Sequence, residues 1–292
     1  MNAIDIEKII AESEEELSAQ FKALEKIAYS NQCRVMEAFQ KSKIALRHFA
    51  ASSGYGYGDE GRDTLNALFA DIFGAEAALV SPNILSGTHA LTVGLFGLLR
   101  TGDTLFSVSG NPYDTLQEVI GGKDIGSLAD FGISFKKCEL KNGDFDTDAI
   151  REGLSDRTVK VVFIQRSRGY EWRDALSEEK IRKICSFVRS CGFTGCIFVD
   201  NCYGEFVETS EPTQNGADIC VGSLIKNPGG GIAPTGGYIV GKREYVDKIA
   251  GRLTAPSIGA EVGSYAYGYQ YFYEGVFLAP HVVCQALKGG LL

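Results

Sequence analysis

From about residue 76 the chain alternates between short runs of β-type residues and amphipathic stretches of helical period, and this alternation leaves few folds open to it. The β-type runs are Ala77–Val80, Thr104–Val108, Val159–Ile164, Cys196–Val199, Ile219–Gly222 and Tyr238–Val240, with helical stretches at Thr88–Leu99, Tyr113–Ile120 and Glu178–Arg189. Strands separated by helices need crossover connections, so the pattern predicts an α/β fold with a mostly parallel sheet covered on both faces. In such a sheet ligands gather at the carboxyl ends of the strands, where loops and helix N-termini converge.

The flanks read differently. From Ile6 to Phe39 the sequence is acidic, with Leu17, Phe21, Leu24 and Ala28 at helical spacing, which predicts a helical arm. A glycine-rich loop follows at Gly54–Gly61 (GYGYGDEG), then a helix marked by Leu65, Leu68, Phe69 and Ile72. Pro280 is expected to open a final helix that runs to Leu292 without a cap. The expected division is therefore an arm over residues 1–53, a large α/β domain over 54–279, and a segment 280–292 leading out of it. That last segment should leave Val282, Val283, Leu287 and Leu291 exposed.

Composition narrows the function classes. A formal charge of -8 argues against nucleic acid as the main partner. Met1 to Ile10 carries Asp5 and Glu7 and no apolar core of a secretory signal, and the longest apolar stretch, about Ala90 to Leu99, is too short to cross a bilayer. None of the eight cysteines forms a CxxC pair and the three histidines are scattered, so no structural metal site is expected. Cys196 and Cys220 sit in apolar runs as small buried hydrophobes, and unpaired thiols point to the cytoplasm.

Two motif matches fail on context. Gly56 to Gly61 fits GxGxxG, but a dinucleotide site needs a strand just before it, and Ala45 to Ser53 is not one. Gly236 to Lys242 fits most of a phosphate-binding loop, but Arg243 follows where Ser or Thr is needed, and the segment reads as a strand.

A third constellation points to pyridoxal 5'-phosphate (PLP) chemistry. That chemistry needs a lysine for the aldehyde, a carboxylate for the pyridine nitrogen, an anion site for the phosphate and a plate against the ring. Lys226 follows the run Ile219–Gly222, at a strand end where desolvation would lower its pKa and favour the neutral amine; taken alone, it reads first as an ordinary surface lysine. Asp200 ends the run Cys196–Val199 and delivers a carboxylate to the same edge, unless it only caps a turn. Ser86, Gly87 and Thr88 open a helix after Ala77–Val80, as a phosphate site or as plain capping. Tyr113, after Gly110-Asn111-Pro112, could stack on the ring and move protons, or pack on the sheet. Three strand ends and one helix start aimed at one place carry the joint reading.

The segments GYGYGDEGRDTLNALFADIFGAEAALV, SGTHAL, NPYDTLQEVIG, IQRSRGYEWR, IFVDNCYGEFVE and SLIKNPGGGIAPTGGYIVG resemble the methionine gamma-lyase-like, or aluminium-resistance, family of PLP-dependent cystathionine/methionine-metabolism enzymes. The resemblance runs from the arm to the last residue. It implies the fold type I architecture of aspartate aminotransferase, a mostly parallel sheet of the seven-stranded kind flanked by helices. It also implies Lys226 as the Schiff-base lysine, Asp200 as the pyridinium partner and Tyr113 as the stacking ring. Gly87 and Thr88 match the phosphate turn and Ser223 a supporting hydroxyl. Tyr57 and Arg62 fall where relatives send a tyrosine and an arginine into a neighbouring subunit, though at altered spacing. Ser167 and Arg168 line the same edge without an assigned role, and Arg168 could instead belong to a charge network. The implied activity is a carbon–sulfur lyase acting on a small amino acid in a homodimer or homotetramer with shared sites. The alternatives are a β-lyase, an aldolase, or an inactive PLP-binding subunit, because the resemblance expects a further C-terminal domain with an arginine for the substrate carboxylate. Without it, Arg166 or Arg168 would have to serve.

Overall fold

The structure is a computed structural model that describes residues 6–292. Met1 to Asp5, part of the acidic start, lie outside the described residues. The chain opens with α1 (Ile6–Glu16), α2 (Ser18–Lys41) and α3 (Glu60–Phe73), then β1 (Ala77–Ser81), α4 (Gly87–Leu98), β2 (Thr104–Ser107) and α5 (Asp114–Gly121). Next come β3 (Ser134–Lys137), the short hairpin of β4 (Leu140–Lys141) and β5 (Asp144–Phe145), α6 (Thr147–Leu154), β6 (Val159–Gln165) and α7 (Glu178–Ser190). The chain continues through β7 (Cys196–Asp200), β8 (Ile219–Ser223), β9 (Gly237–Gly241), α8 (Arg243–Leu253) and α9 (Gln270–Leu291).

Seven strands form one sheet in the order β1-β9-β8-β7-β6-β2-β3. Only β9 runs against the others, pairing antiparallel with both β1 and β8. The fold is thus the expected α/β class with a mostly parallel sheet. Every residue of β7, β8 and β9 is buried, as strands covered on both faces must be. One face packs Leu91 and Leu95 of α4, Leu116 of α5 and Ile249 of α8 against Phe198, Val221 and Ile239. The other carries α2, α3 and α9 at one end, through Val35, Phe69, Phe73 and Val276, and α6 and α7 at the other, through Ile150, Ile181 and Val188. Each large apolar side chain sealed this way contributes up to about 1.5–3 kcal/mol.

Local chemistry sets the helix starts. Asp59 accepts from Arg62 N at 3.0 Å to cap α3, and Ser86 accepts from His89 N at 3.1 Å to cap α4. α4 lies low on the sheet because Gly94 carries no Cβ, which would stand 2.8 Å from the Phe198 ring. That close approach brings the first turn of α4 down onto the strand ends.

Residues 6–41 are helical, as two helices that meet at Leu17. The C-terminal flank departs from expectation. Pro280 does not open a helix: it lies inside α9, which begins ten residues earlier at Gln270. Phe272, Tyr273, Val276, Ala279 and Val283 keep one buried face through the proline, and that packing carries the helix past the missing N–H. The expected exposed stripe is accordingly reduced: Val283 is buried and Leu287 partly so, while Leu291 is exposed. The GxGxxG match precedes α3 with only a short 3₁₀ turn at Leu46–Phe49 before it, and Gly237–Gly241 is strand β9, so neither decoy is a phosphate loop. Among the described residues no helix is long and apolar enough to cross a membrane, and no group of His, Cys, Asp or Glu is placed to hold a metal. All eight cysteines are free, with Cys196 and Cys220 buried as expected.

Candidate active site

The carboxyl ends of β7 and β8, the first turn of α4 and the start of α5 meet at one edge of the sheet. Asp200, the last residue of β7, is buried and accepts from Cys202 N at 3.0 Å. Ser223 ends β8 and is buried; a Cβ on Gly87 would stand 3.3 Å from its Cβ and 3.1 Å from Cys202 Sγ, so α4 begins directly on these two residues. Thr88 Oγ1 and the Tyr113 hydroxyl share a hydrogen bond of 2.9 Å. Tyr113 precedes α5, and its backbone N donates to Gln165 Oε1 at 2.8 Å. Lys226 stands three residues past β8 with its Nζ 4.0 Å from the centre of the Tyr203 ring.

The electrostatics join these groups into one site. Burial pushes the Asp200 carboxyl up, opposed by the Cys202 N–H and the charge of Lys226. Burial also pushes the Tyr113 phenol up to about 12, eased by the Thr88 hydrogen bond and reinforced by Asp200. Lys226 corrects the expectation drawn from its strand-end position. Burial does pull its amine down, but Cys202, Tyr203 and Asp200 around it favour the ammonium and outweigh burial, so its pKa is raised.

Ser86 spends its hydroxyl oxygen as the cap of α4, the plainer of its two expected uses, and keeps its hydroxyl hydrogen to donate. Tyr57 is exposed in the glycine-rich loop, its ring 5.8 Å from that of Tyr55. Arg62 is buried and turned into its own chain, donating to Gly56 O at 2.9 Å and to Asp63 at 2.9 Å. It is not the surface residue that a helix start would suggest. Ser167 O accepts from Arg173 Nη2 at 2.6 Å, and Arg168 stacks over the exposed Trp172 at 5.8 Å. Both line a cavity of about 500 Å³ that also touches Tyr203 and Val207.

Arg166 is buried and bonded to its own chain. It donates to Leu176 O, Asn201 Oδ1 and Gly204 O and pairs with Glu178 at 2.7 Å and Glu208 at 2.9 Å. It anchors the turn after Asp200 from beneath, held on several sides by the protein itself. Gln165, Cys202 and Tyr203 were not singled out as site residues from the sequence. Gln165 carried the signal that exposed Asp200, a polar residue closing an apolar strand, and Cys202 and Tyr203 directly follow Asp200-Asn201.

A sequence profile described as methionine gamma-lyase matches residues 6–292. The chain belongs to the methionine gamma-lyase family. Among relatives, the Bacillus subtilis protein YnbB is 47% identical over 290 residues, which cover 98% of this chain and 69% of that one. A Listeria monocytogenes structure, whose name proposes a cystathionine beta-lyase involved in aluminium resistance, matches with a TM-score of 0.95 at 48% identity over 97% of this chain and 70% of its own. A Clostridium novyi structure, named a carbon-sulfur lyase involved in aluminium resistance, matches with a TM-score of 0.93 at 47% identity over 97% of this chain and 68% of its own. The family expected from the sequence motifs and the fold expected from the alternating pattern are therefore both those of the protein.

Proposed function

We propose that this member of the methionine gamma-lyase family is a PLP-dependent carbon–sulfur lyase that acts on a small amino acid, with Lys226 holding the cofactor. The observation that carries the reading is the meeting of Lys226, Asp200, Tyr113 and the first turn of α4 at one sheet edge. The residues fit the cofactor. At Gly87 a side chain would crowd Ser223 and Cys202, and the first amides of α4, which no helix carbonyl can serve, suit a phosphate beside the hydroxyls of Thr88 and Ser223.

When bound, PLP supplies an electron sink for the bonds at the substrate's α carbon. Asp200 would face the pyridine nitrogen and hold a proton there, since a buried carboxylate pairs best with a charged donor. Tyr113 would lie on the ring, its hydroxyl oriented by Thr88 and its backbone fixed by Gln165. Lys226, freed from the cofactor by the substrate's amine, would take the α proton and return a proton as the thiol leaves, and water would then complete the release of a keto acid and ammonia. Of the two arginines in the turn after β6, Arg168 remains open to a substrate carboxylate, whereas Arg166 is spent on the protein.

The test is to load the chain with PLP and assay a panel of sulfur amino acids for keto acid and thiol. Release of both, abolished by Lys226→Ala, is the expected result. A loaded chain that yields only an aldehyde by aldol cleavage, or only the transaminated cofactor, would remove the lyase reading.

A further inference from the structure

Two observations single out Tyr203. Its φ is +70°, in the left-handed region that a bulky side chain rarely enters. Its ring face lies 4.0 Å from Lys226 Nζ, yet the residue is 61% exposed, so core packing does not impose the conformation. The turn is fixed on both sides of it. Cys202 N donates to Asp200 Oδ1 at 3.0 Å, and Gly204 N donates to Asn201 O at 2.7 Å. Arg166 Nη1 then holds Asn201 Oδ1 at 2.8 Å and Gly204 O at 2.9 Å. A strained, over-determined backbone thus presents one aromatic face to one amine.

We propose that Tyr203 is a positioning residue for Lys226, its ring face being the seat on which the charged amine rests whenever it is not bonded to the cofactor. This rests on the assignment of Lys226 as the cofactor lysine. An aromatic face attracts an ammonium through its quadrupole, and a neutral amine far less. The ring therefore favours the protonated amine and fixes where it waits, beside Asp200. Asp200 and Cys202 also face the amine, and Tyr113 and Glu205 share its field. Substitution at 203 removes none of these, so the ring's share can be measured by itself.

The test uses the full chain without cofactor, its lysines methylated with ¹³C-formaldehyde and titrated by NMR, the Lys226 signal being assigned by its loss in Lys226→Arg. Tyr203→Gly deletes the ring with a residue at ease at this φ, Tyr203→Leu deletes it while keeping bulk, and Tyr203→Phe keeps the face. The Lys226 midpoint should fall by about half a unit to one unit in the Gly and Leu variants and stay within about 0.2 unit in Phe. An unchanged midpoint in Gly and Leu would overturn the proposal. So would an equal fall in Phe, which would assign the effect to the hydroxyl. The lysine assignment is tested separately, by mapping the reduced PLP adduct, so the two ideas can fail independently.

Discussion

An added methyl group at residue 87 would stand 3.1 Å from Cys202 Sγ and 3.3 Å from Ser223 Cβ, tight contacts that require these residues or the first turn of α4 to shift by a few tenths of an ångström. Gly87→Ala should therefore fold but bind PLP about tenfold or more weakly, read by titrating the cofactor absorbance. Unchanged affinity would remove the first turn of α4 from the phosphate site. The buried acids beneath the turn make a pH prediction. Burial pushes the Glu205 carboxyl up to about 8, against an ordinary value of 4.5, while its Oε1 accepts from the Tyr238 hydroxyl at 2.7 Å. Between those values the folded chain keeps a proton that the unfolded chain releases. Glu205's contribution is thus complete below the ordinary value and is lost as pH rises through about 8. Burial likewise lifts Glu178 to about 7, with the same sign over a narrower window. Glu205→Gln should flatten the stability–pH curve between about 4.5 and about 8 in urea unfolding; a variant that keeps the wild-type slope there would place the titration elsewhere. At this scale the sequence revealed residues whose polarity interrupts an apolar strand, Asp200 above all. It could not reveal Tyr203, whose role depends on a backbone angle, nor that Arg166 is consumed by Glu178, Glu208 and Asn201, which lie far from it in sequence.

Helix α2 ties the N-terminal arm to the site. Asn31 Nδ2, on a fully buried side chain, donates to Phe206 O at 2.9 Å and Glu208 O at 3.0 Å, and Arg34 donates to Thr209 O at 2.8 Å. These bonds clamp the 201–211 segment that follows Asp200 and carries Tyr203. Asn31→Ala should cost about 1–3 kcal/mol, because the buried Phe206 carbonyl and the part-buried Glu208 carbonyl lose their donor. Denaturant unfolding measures the cost, and a change under about 0.5 kcal/mol would mean water replaces the amide. The strands of the central sheet were legible because buried parallel strands are continuous apolar runs. β3, β4 and β5 were not: they are two to four residues long and partly exposed, without an apolar run to betray them. α9 was misplaced for a different reason. Pro280 read as the start of a helix, yet the buried face is continuous through it.

For the whole molecule, the order of the sheet decides the site. β7 lies between β6 and β8, so the ends of three adjacent parallel strands deliver Gln165, Asp200 and Ser223 to one edge. That much follows from alternation plus the rule that crossovers keep strand ends together. How copies assemble does not follow, since exposed Tyr55, Tyr57 and Tyr267 identify no partner by themselves. Our expectation remains a dimer or larger with the loop of Tyr57 and Arg62 reaching a neighbouring site; within its own chain Arg62 holds the Gly56 carbonyl of that loop. Sedimentation of the PLP-loaded protein checks this, and a monomer that binds PLP tightly would contradict it. The most direct test of the central claim is chemical. The PLP-loaded chain is reduced with borohydride, digested and sequenced by mass spectrometry. The account predicts the cofactor fixed to the peptide that contains Lys226, and an adduct on any other lysine would contradict it.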